Sequence, residues 1–346
     1  MLVFWAMFLV AARGVLVRRR LPARHAKFTW LAVGCLFAVL IGFRHEVGGD
    51  WFNYLRHFES ASSMTFFEAA AMSEPGHYVL NMWSAWLGGD IYLVNLVYAA
   101  ILMWGTMVFC QRQPSPWLAL MSAVPYMLIV VGMGYTRQSG ALGLALVGLV
   151  ALSEGRVRTF IICVAIGALF HKSAILLMPV AALAASRNRF LTGALVAAFF
   201  ALLYYLLLLD TAESMWRNYV EEQMQSQGGL IRVVMNLVPA LILVVFRRRL
   251  VPDEQERKLW LWIAAFAFLC VPLVFLASTA VDRVALYFIP LQLFVFARLP
   301  TLAQTVRART GLVVGIVLYY AVVQYVWLNY ATHAQYWTPY QFMPLS

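Results

Sequence analysis

Long apolar runs alternate with short polar segments along almost the whole chain, from residues 1–17 to residues 311–330. A helix that crosses a membrane needs ~20 mostly apolar residues, because its backbone groups find hydrogen-bond partners only within the helix. The pattern therefore predicts an all-α fold, a polytopic transmembrane helical bundle of about 12 membrane segments. We expect a single integral membrane domain over residues 1–346.

The first apolar run sets the predicted orientation. Arg18, Arg19 and Arg20 follow this run instead of preceding it, which is the reverse of a secretory signal peptide. Short basic loops stay in the cytoplasm, so we expect the N-terminus on the outer side. Alternation of the predicted segments then places the C-terminus on the same side. The layout has two larger outer loops, at residues 44–90 and 210–230.

Two apolar stretches do not fit a simple crossing. Residues 76–89 are too few for a full span, so we expect a helix that dips into the membrane or lies at its interface. Residues 159–186 contain two apolar halves separated by the sequence FHKSA at 170–174. This split predicts either two tilted spans or a re-entrant hairpin.

Composition supports a membrane protein and excludes other classes. Hydrophobic residues make up 63% of the chain and charged residues only 12%, which leaves too little polar material to surround a soluble core. The net charge of +11 does not indicate nucleic acid binding, because the basic residues lie in short loops and not on one solvated face. The four cysteines lie inside apolar runs and are interpreted as core residues, not as disulfides or metal ligands.

The charge distribution agrees with the predicted layout. The inner segments carry nineteen Lys and Arg residues against four acids, a net charge of +15, whereas the outer side carries seven against eleven, a net of −4. This asymmetry follows the positive-inside rule. The rule disfavours the seven outer basic residues, which therefore need another explanation: Arg44, Arg56, Arg137, Lys172, Arg217, Arg232 and Arg283.

A lipid-linked phosphate or pyrophosphate is one explanation for these outer arginines. A guanidinium group offers a planar fork of donors, stays protonated and binds phosphate oxygens in pairs. The alternative is a structural ion pair, such as Arg44 with Asp50 or Arg283 with Asp282. Both interpretations are open for a single arginine, but Arg44, Arg137 and Arg283 come from distant parts of the chain and end at one predicted membrane face. As a set they favour a binding site.

Acids and aromatic residues near the same face supply further candidates. Asp50, Glu74 and His171 could accept a proton from a sugar hydroxyl group. His171 could instead be a buried imidazole at a helix break, and Glu74 a solvated acid or part of a first helical turn with Ser73 as N-cap. Aromatic rings could stack on sugar faces, although such rings commonly form interfacial belts; the candidates are Trp51, Tyr54, Tyr78 and Tyr287.

Five short motifs resemble those of one known family. Residues 42–58, GFRHEVGGDWFNYLRHF, are similar to the Arg-x-x-x-Gly-x-Asp-x-x-x-Tyr signature of the EpsG family of Wzy-type bacterial polysaccharide polymerases, with Arg44, Gly48, Asp50 and Tyr54 in the matching places. The other matching segments are EPGHYVL with Glu74 and Tyr78, YTRQSGALGLAL with Arg137 and Gln138, FHKSAIL with His171 and Ser173, and DRVALYF with Arg283 and Tyr287. Their order along residues 42–288 is more specific than any single segment.

The resemblance implies a glycosyltransferase in the bacterial inner membrane, with its active site facing the periplasm. Because the sequence has no Asp-x-Asp motif, we expect the enzyme to be metal-independent. Such an enzyme joins undecaprenyl-pyrophosphate-linked oligosaccharide repeat units, as donor and acceptor, into capsule, O-antigen or exopolysaccharide. No cofactor is expected, and a chain-length regulator or another assembly protein is a conceivable partner. The expected catalytic residues are Arg44, Asp50, Glu74 and His171, and the expected substrate-binding residues are Tyr54, Tyr78, Arg137, Gln138, Lys172, Arg232, Arg283 and Tyr287.

Two other classes share parts of this pattern. A flippase or transporter of lipid-linked oligosaccharide would also bind pyrophosphate and use broken spans, but it would place its binding groups near the midplane of the bilayer. An O-antigen ligase or membrane acyltransferase would share the outer site and transfer a different group. Longer glycan ladders, leaflet exchange or a single transfer would distinguish the three activities.

Overall fold

The computed structural model describes residues 1–17, 22–184, 189–203 and 228–345. These residues form an all-α bundle with one short two-stranded sheet. The first half contains α1 (Leu2–Leu16), α2 (Ala23–Gly42), β1 (Arg44–His45), α3 (Trp51–Ser62), α4 (Phe66–Ala70), α5 (Pro75–Trp86), α6 (Asp90–Gln111), α7 (Pro116–Gly134) and α8 (Thr136–Ser153).

The second half contains more interrupted helices than the first. It consists of α9 (Val157–Phe170), α10 (Met178–Ala184), α11 (Arg189–Leu203), α12 (Gly229–Leu250), α13 (Glu254–Leu273), α14 (Ser278–Ala285), α15 (Pro290–Arg298), α16 (Val306–Tyr330) and β2 (Gln341–Phe342). Short 3₁₀ turns occupy Lys172–Leu177, Leu286–Phe288, Leu299–Leu302, Thr332–Tyr336 and Met343–Leu345.

The polytopic helical fold is confirmed, but the predicted number of membrane segments is wrong. Within the described residues, five helices are long and apolar enough to cross a membrane, namely α2 from Arg24, α6, α7, α12 and α16. A sixth crossing results if Ser278–Phe288 and Pro290–Leu302, which are bent by 41°, are counted as one span. Apolar runs such as Leu2–Leu16 and Val157–Phe170 end before they reach the length of a crossing.

The predicted break at 170–174 is confirmed. Helix α9 ends at Phe170, His171 adopts an extended conformation with φ −153° and ψ 110°, and a 3₁₀ turn begins at Lys172. The predicted short helix within 76–89 corresponds to α5. The predicted loop at 210–230 lies outside the described residues except for its last three positions, which lead into α12.

Helices α6, α7 and α8 form the centre of the bundle. Gly105 of α6 and Gly143 of α8 face each other so closely that a Cβ on Gly105 would lie 1.9 Å from the Gly143 carbonyl oxygen. Small residues allow two helix backbones to approach in this way inside a membrane. A π-helical section at Val124–Val131 interrupts α7 and includes Pro125, which has no N–H for the regular α-helical ladder.

Helix ends define two opposite ends of this bundle. At the end that we call the site end, α2 and α7 stop and α6 and α8 begin; it carries the predicted outer loop at 44–90. At the opposite end, Arg298 donates to Gln113 and pairs with Glu256 at 2.9 Å. Arg112 pairs there with Glu154 at 2.8 Å. The Arg298 side chain is therefore largely buried at this end, whereas that of Arg112 is exposed.

The segment after α16, whose end the sequence places on the outer side, contributes to the fold of the site end. It folds back on the site end, where Arg44 pairs with Phe342 and His45 with Gln341 in the antiparallel sheet. The Gly48 N–H donates to the Tyr336 carbonyl at 2.8 Å. Gly48 has φ +108°, and a Cβ there would lie 2.4 Å from a carbonyl oxygen of α7, so only glycine fits this position.

The cysteines only partly follow the prediction. Cys110, Cys163 and Cys270 are buried free thiols, as expected for core residues. Cys35 is also a free thiol, but it is exposed on α2, so the core interpretation is wrong there. The apolar run that contains Cys35 has one face away from the bundle, and a lipid-facing position is as apolar in sequence as a buried one.

Candidate functional site

Glu74 is the centre of the polar cluster at the site end. It is the N-cap residue of α5 and is only 2% exposed. One carboxylate oxygen accepts from Nη1 of Arg137 at 2.5 Å, and the other contacts Nδ1 of His171 at 2.7 Å. The backbone N–H of Lys172 lies 3.3 Å from the same oxygen as His171. Three distant segments therefore meet at one carboxylate.

The alternative explanations for Glu74 and His171 are corrected by this geometry. Glu74 itself caps α5, so Ser73 is not the N-cap, and the acid is buried instead of solvated. His171 does lie buried at a helix break, but its ring faces a carboxylate and not a backbone carbonyl. At this break the backbone of His171 is extended, and its imidazole contacts Glu74 of α5.

Arg137 lies between Glu74 and the ring of Tyr54. Its guanidinium carbon is 5.7 Å from the centre of the Tyr54 ring, which is the range of a cation–π contact. The Arg137 side chain remains 28% exposed. Its Nε is buried and has no hydrogen-bond partner among the described residues, so this atom is not open to a ligand in this conformation. Arg137 is thus held between the Glu74 carboxylate and the Tyr54 side chain, and its side chain is only partly enclosed.

Burial and charge act in opposite directions on these groups. Burial alone raises the pKa of Glu74, but attraction from His171 and Arg137 is stronger, so the net effect lowers its pKa well below the usual range. Burial, together with repulsion from Arg137, lowers the pKa of His77 to about 3. The same two causes lower the pKa of His57. Glu74 is therefore charged and His77 neutral at physiological pH.

A chain of buried polar side chains lies beside this centre. His77 is fully buried, with its Nδ1 3.0 Å from the Tyr98 hydroxyl group and its Nε2 3.3 Å from Nδ1 of His57. Asn81, one turn further along α5, donates to the His77 carbonyl at 2.7 Å. His77, Asn81 and Tyr98 are not among the candidates predicted from the sequence. The signal was the polar spacing of Glu74, His77, Asn81 and Ser84 along an otherwise apolar stretch.

Other predicted substrate-binding residues border the centre. The Tyr287 hydroxyl group lies 3.1 Å from that of Ser173, two residues after His171. Gln138 donates through Nε2 to the backbone carbonyl of Arg283 at 2.6 Å. The ring of Tyr78 lies 5.7 Å from that of His57. The 135–139, 171–173 and 283–287 segments are therefore close together, as the hypothesis of one site requires.

Arg232 belongs to a neighbouring ion pair. It donates to Asp282, and both side chains are largely buried. One turn along α12, Asn236 donates to the Ala285 carbonyl at 2.9 Å. These contacts join α12 to the segment that carries Arg283 and Tyr287.

Arg44 lies at the same end of the bundle as Glu74 and is 1% exposed. Its guanidinium group donates to the carbonyls of Val47 at 3.2 Å and Ile41 at 2.8 Å. It also donates to Oδ1 of Asn95 at 3.2 Å and to the hydroxyl group of Thr136 at 2.6 Å. Burial lowers the pKa of Arg44 to about 10, so the group is still charged. Nearly all of its donors are used within the protein.

Asp50 is half-buried at the start of α3. Its partner is Asn53, which donates at 3.3 Å, and not Arg44 as one structural alternative suggested. Arg56, on the same helix, is exposed and donates to Asn53. Asp50 therefore bonds within the first turn of α3 and is partly exposed. Across the described ranges, no three His, Cys, Asp or Glu side chains are grouped so that they could hold a metal ion.

A model of the EpsG family matches residues 27–342. The chain belongs to the EpsG family. No curated protein sequence and no solved structure matches it significantly. The match confirms the resemblance found in the motifs and covers the whole cluster from Arg44 to Tyr287. This EpsG family member is a multi-pass membrane protein, and the family links it to polysaccharide synthesis.

Proposed function

We propose that this EpsG family protein is a polysaccharide polymerase, a glycosyltransferase that joins undecaprenyl-pyrophosphate-linked repeat units at the periplasmic face of the bacterial inner membrane. The observation that carries the proposal is the contact of Glu74 with both Arg137 and His171 at 2.5 and 2.7 Å. Arg137, a candidate to bind an anion, and His171, a candidate proton acceptor, thus both contact the same carboxylate.

His171 is the proposed general base. A carboxylate only accepts hydrogen bonds, so the contact with Glu74 places a proton on Nδ1 of His171 and leaves Nε2 to accept another. Glu74 is a weak base itself because its pKa is lowered, but its charge stabilises the imidazolium that forms. In this arrangement Glu74 is a positioning residue for His171, and Asp50 is a candidate to bind the acceptor sugar.

Arg137 is the proposed ligand of the leaving pyrophosphate. The acceptor hydroxyl oxygen forms a bond to the anomeric carbon of the donor, and the bond from that carbon to the pyrophosphate oxygen breaks. The pyrophosphate departs with the electron pair, and the hydroxyl proton passes to His171. Arg137 accelerates this step if it binds the departing charge more tightly than the ground state. Lys172, Arg232 and Arg283 are further candidates for the phosphate oxygens.

Arg44 takes a different role in the proposal from the one expected by sequence. It donates to Thr136, the residue before Arg137, and to Asn95 of α6. We therefore assign Arg44 as a positioning residue that fixes the start of α8, and not as a ligand of the substrate. Tyr54 and Tyr78 border Arg137 and His57 and are proposed to contact the sugars.

Reconstitution tests the proposed activity. The purified protein in proteoliposomes with a lipid-linked repeat unit should produce a ladder of longer glycans, and the His171→Gln variant should not. Leaflet exchange without a ladder would indicate a flippase, and one transfer to another acceptor would indicate a ligase. In cells, deletion should leave a single repeat unit on lipid in place of the polymer.

A further inference from the structure

Helix α5 buries its polar side and exposes its apolar side. The polar residues Glu74, His77, Asn81 and Ser84 follow each other at helical spacing, and each is at most 2% exposed. They face the interior, where Asn81 and His77 bond each other and Ser84 donates to the Asp90 carbonyl. This is the reverse of an amphipathic helix on a water-soluble protein.

The opposite side of α5 consists of large apolar side chains. Trp83 is 54% exposed, Trp86 83% and Leu87 66%. The adjoining helix α4 adds Phe66 at 50% and Phe67 at 82%. Each Å² of such apolar surface left in water costs about 25 cal/mol, and a contiguous exposed patch of this kind marks an interaction surface.

This apolar surface continues into surfaces that face the membrane. Helix α6 is a candidate span that begins at Asp90, three residues after Leu87. Helix α9 packs against the start of α5. Its exposed residues Ile162, Ile166 and Leu169 recur at helical spacing and form one apolar stripe. The exposed side of α5 therefore lies beside two helices whose outer faces are also apolar.

We infer that α4 and α5 are immersed in the lipid leaflet at the site end, with Phe67, Trp83 and Trp86 in contact with acyl chains. Lipid explains both sides of α5, because a helix in hydrocarbon turns its polar groups inward and its apolar groups outward. A second copy of the chain or a partner protein would explain the exposed side alone. The Glu74 centre, at the N-terminal end of α5, then lies at the depth of lipid phosphates.

Site-directed labelling tests this inference without any sugar substrate, so its result is independent of the proposed polymerase activity. Trp86→Cys and Phe67→Cys are made in a background in which the four native cysteines are replaced, and the protein is reconstituted into phosphatidylcholine vesicles with the site end outside. Glu59→Cys, at an exposed polar position of α3, is the matched control. Both substituted aromatic residues are largely exposed, so their replacement removes little packing.

The expected result is that a membrane-impermeant maleimide labels Trp86→Cys and Phe67→Cys roughly tenfold more slowly than Glu59→Cys, since a charged reagent is excluded from hydrocarbon. For nitroxide labels at both positions, dissolved oxygen should increase the electron spin relaxation rate more than a water-soluble nickel complex does, because oxygen partitions into the hydrocarbon and the complex does not. Labelling as fast as the control would overturn the inference. So would protection that appears only at high protein density together with disulfide cross-links between copies, because a second copy would then cover the surface.

Discussion

Arg44 and Arg137 lie at the same end of the bundle and differ in what their guanidinium groups contact. Arg44 is 1% exposed and donates to two carbonyls, an amide oxygen and a hydroxyl oxygen. Arg137 is 28% exposed and lies between the Glu74 carboxylate and the Tyr54 ring. The donors of Arg44 are consumed by the fold, whereas the Arg137 side chain remains partly open to an anion.

The difference shows that an arginine on the disfavoured side of a membrane has two distinct explanations. Neutral acceptors surround Arg44 and compensate the cost of its desolvation without a counter-charge. Through these hydrogen bonds Arg44 connects β1 to α6 and α8. Arg137 instead has a carboxylate counter-charge and an aromatic ring beside it, and its side chain stays partly exposed. We expect substitutions at the two positions to separate stability from turnover.

The largest effect should follow from Arg137→Ala. Loss of the group that binds the departing pyrophosphate should reduce turnover about 10²–10³-fold, the usual cost of removing one donor to a developing charge. Arg137→Lys should restore only part of the activity, because the planar fork is lost. Glycan ladders from purified variants provide the measurement, with Arg56→Ala, an exposed arginine of α3, as control. Ladders of normal length and rate from Arg137→Ala would contradict the proposed site.

Arg44→Ala should affect the fold before it affects the chemistry. Each hydrogen bond from a charged donor contributes about 1.5–3 kcal/mol, and this substitution removes several while leaving Asn95 and Thr136 without their partner. We expect a lower melting temperature in detergent and a loss of turnover well above tenfold, since Thr136 precedes Arg137. Arg137→Ala should melt closer to the wild type. Equal melting temperatures for the wild type and Arg44→Ala would contradict the positioning role.

The sequence was sufficient to place these residues at one end of the molecule, because hydropathy and the positive-inside rule identify basic residues on the unexpected side. It was not sufficient to pair them. Glu74 meets Arg137 and His171 across 63 and 97 residues, and such distances depend on helix packing. The acceptors around Arg44 include backbone carbonyls, which every residue carries and which therefore leave no mark in a sequence.

The number of spans was overestimated for a related reason. Apolar composition does not tell whether a run continues as one helix, and Phe170 and Phe288 end helices within apolar surroundings. The polar spacing along α5 is visible in the sequence, but the prediction of a dipping or interfacial helix rests on the length of the stretch and does not name His77. When a helix buries its polar side and exposes its apolar side, the positions of the neighbouring helices must be known before its buried side can be identified.

A smaller effect is expected from pH, through His77. Its pKa is about 3 in the folded protein against 6.5 for an ordinary histidine, so the unfolded chain binds more protons between these values. Stability should therefore fall as the pH drops below 6.5, by at most about 1.4 kcal/mol per pH unit. Glu74, whose pKa is lowered, keeps its contribution above pH 4.5 and adds no slope there.

The His77→Asn variant isolates this contribution. Its melting temperature should depend less on pH between 6.5 and 4.5 than that of the wild type, because no buried imidazole then loses a proton on folding. His57→Asn is the matched control, since His57 is only half-buried. If the pH dependence of the melting temperature were unchanged in His77→Asn and reduced in His57→Asn, His57 and not His77 would be its source, and the prediction would be wrong.

The smallest effect, no change in polymerisation, is expected from a metal chelator. The sequence has no Asp-x-Asp motif, and the pyrophosphate leaving group is already an anion that arginine can bind directly. The two carboxylate oxygens of Glu74 contact Arg137 and His171, so a divalent cation at this position would have to displace one of them. Glycan ladders should therefore be the same with and without EDTA. Loss of the ladder with EDTA, reversed by added Mg²⁺, would contradict this prediction. It would indicate that a metal ion and not Arg137 stabilises the departing pyrophosphate, and would therefore also count against the Arg137→Ala prediction.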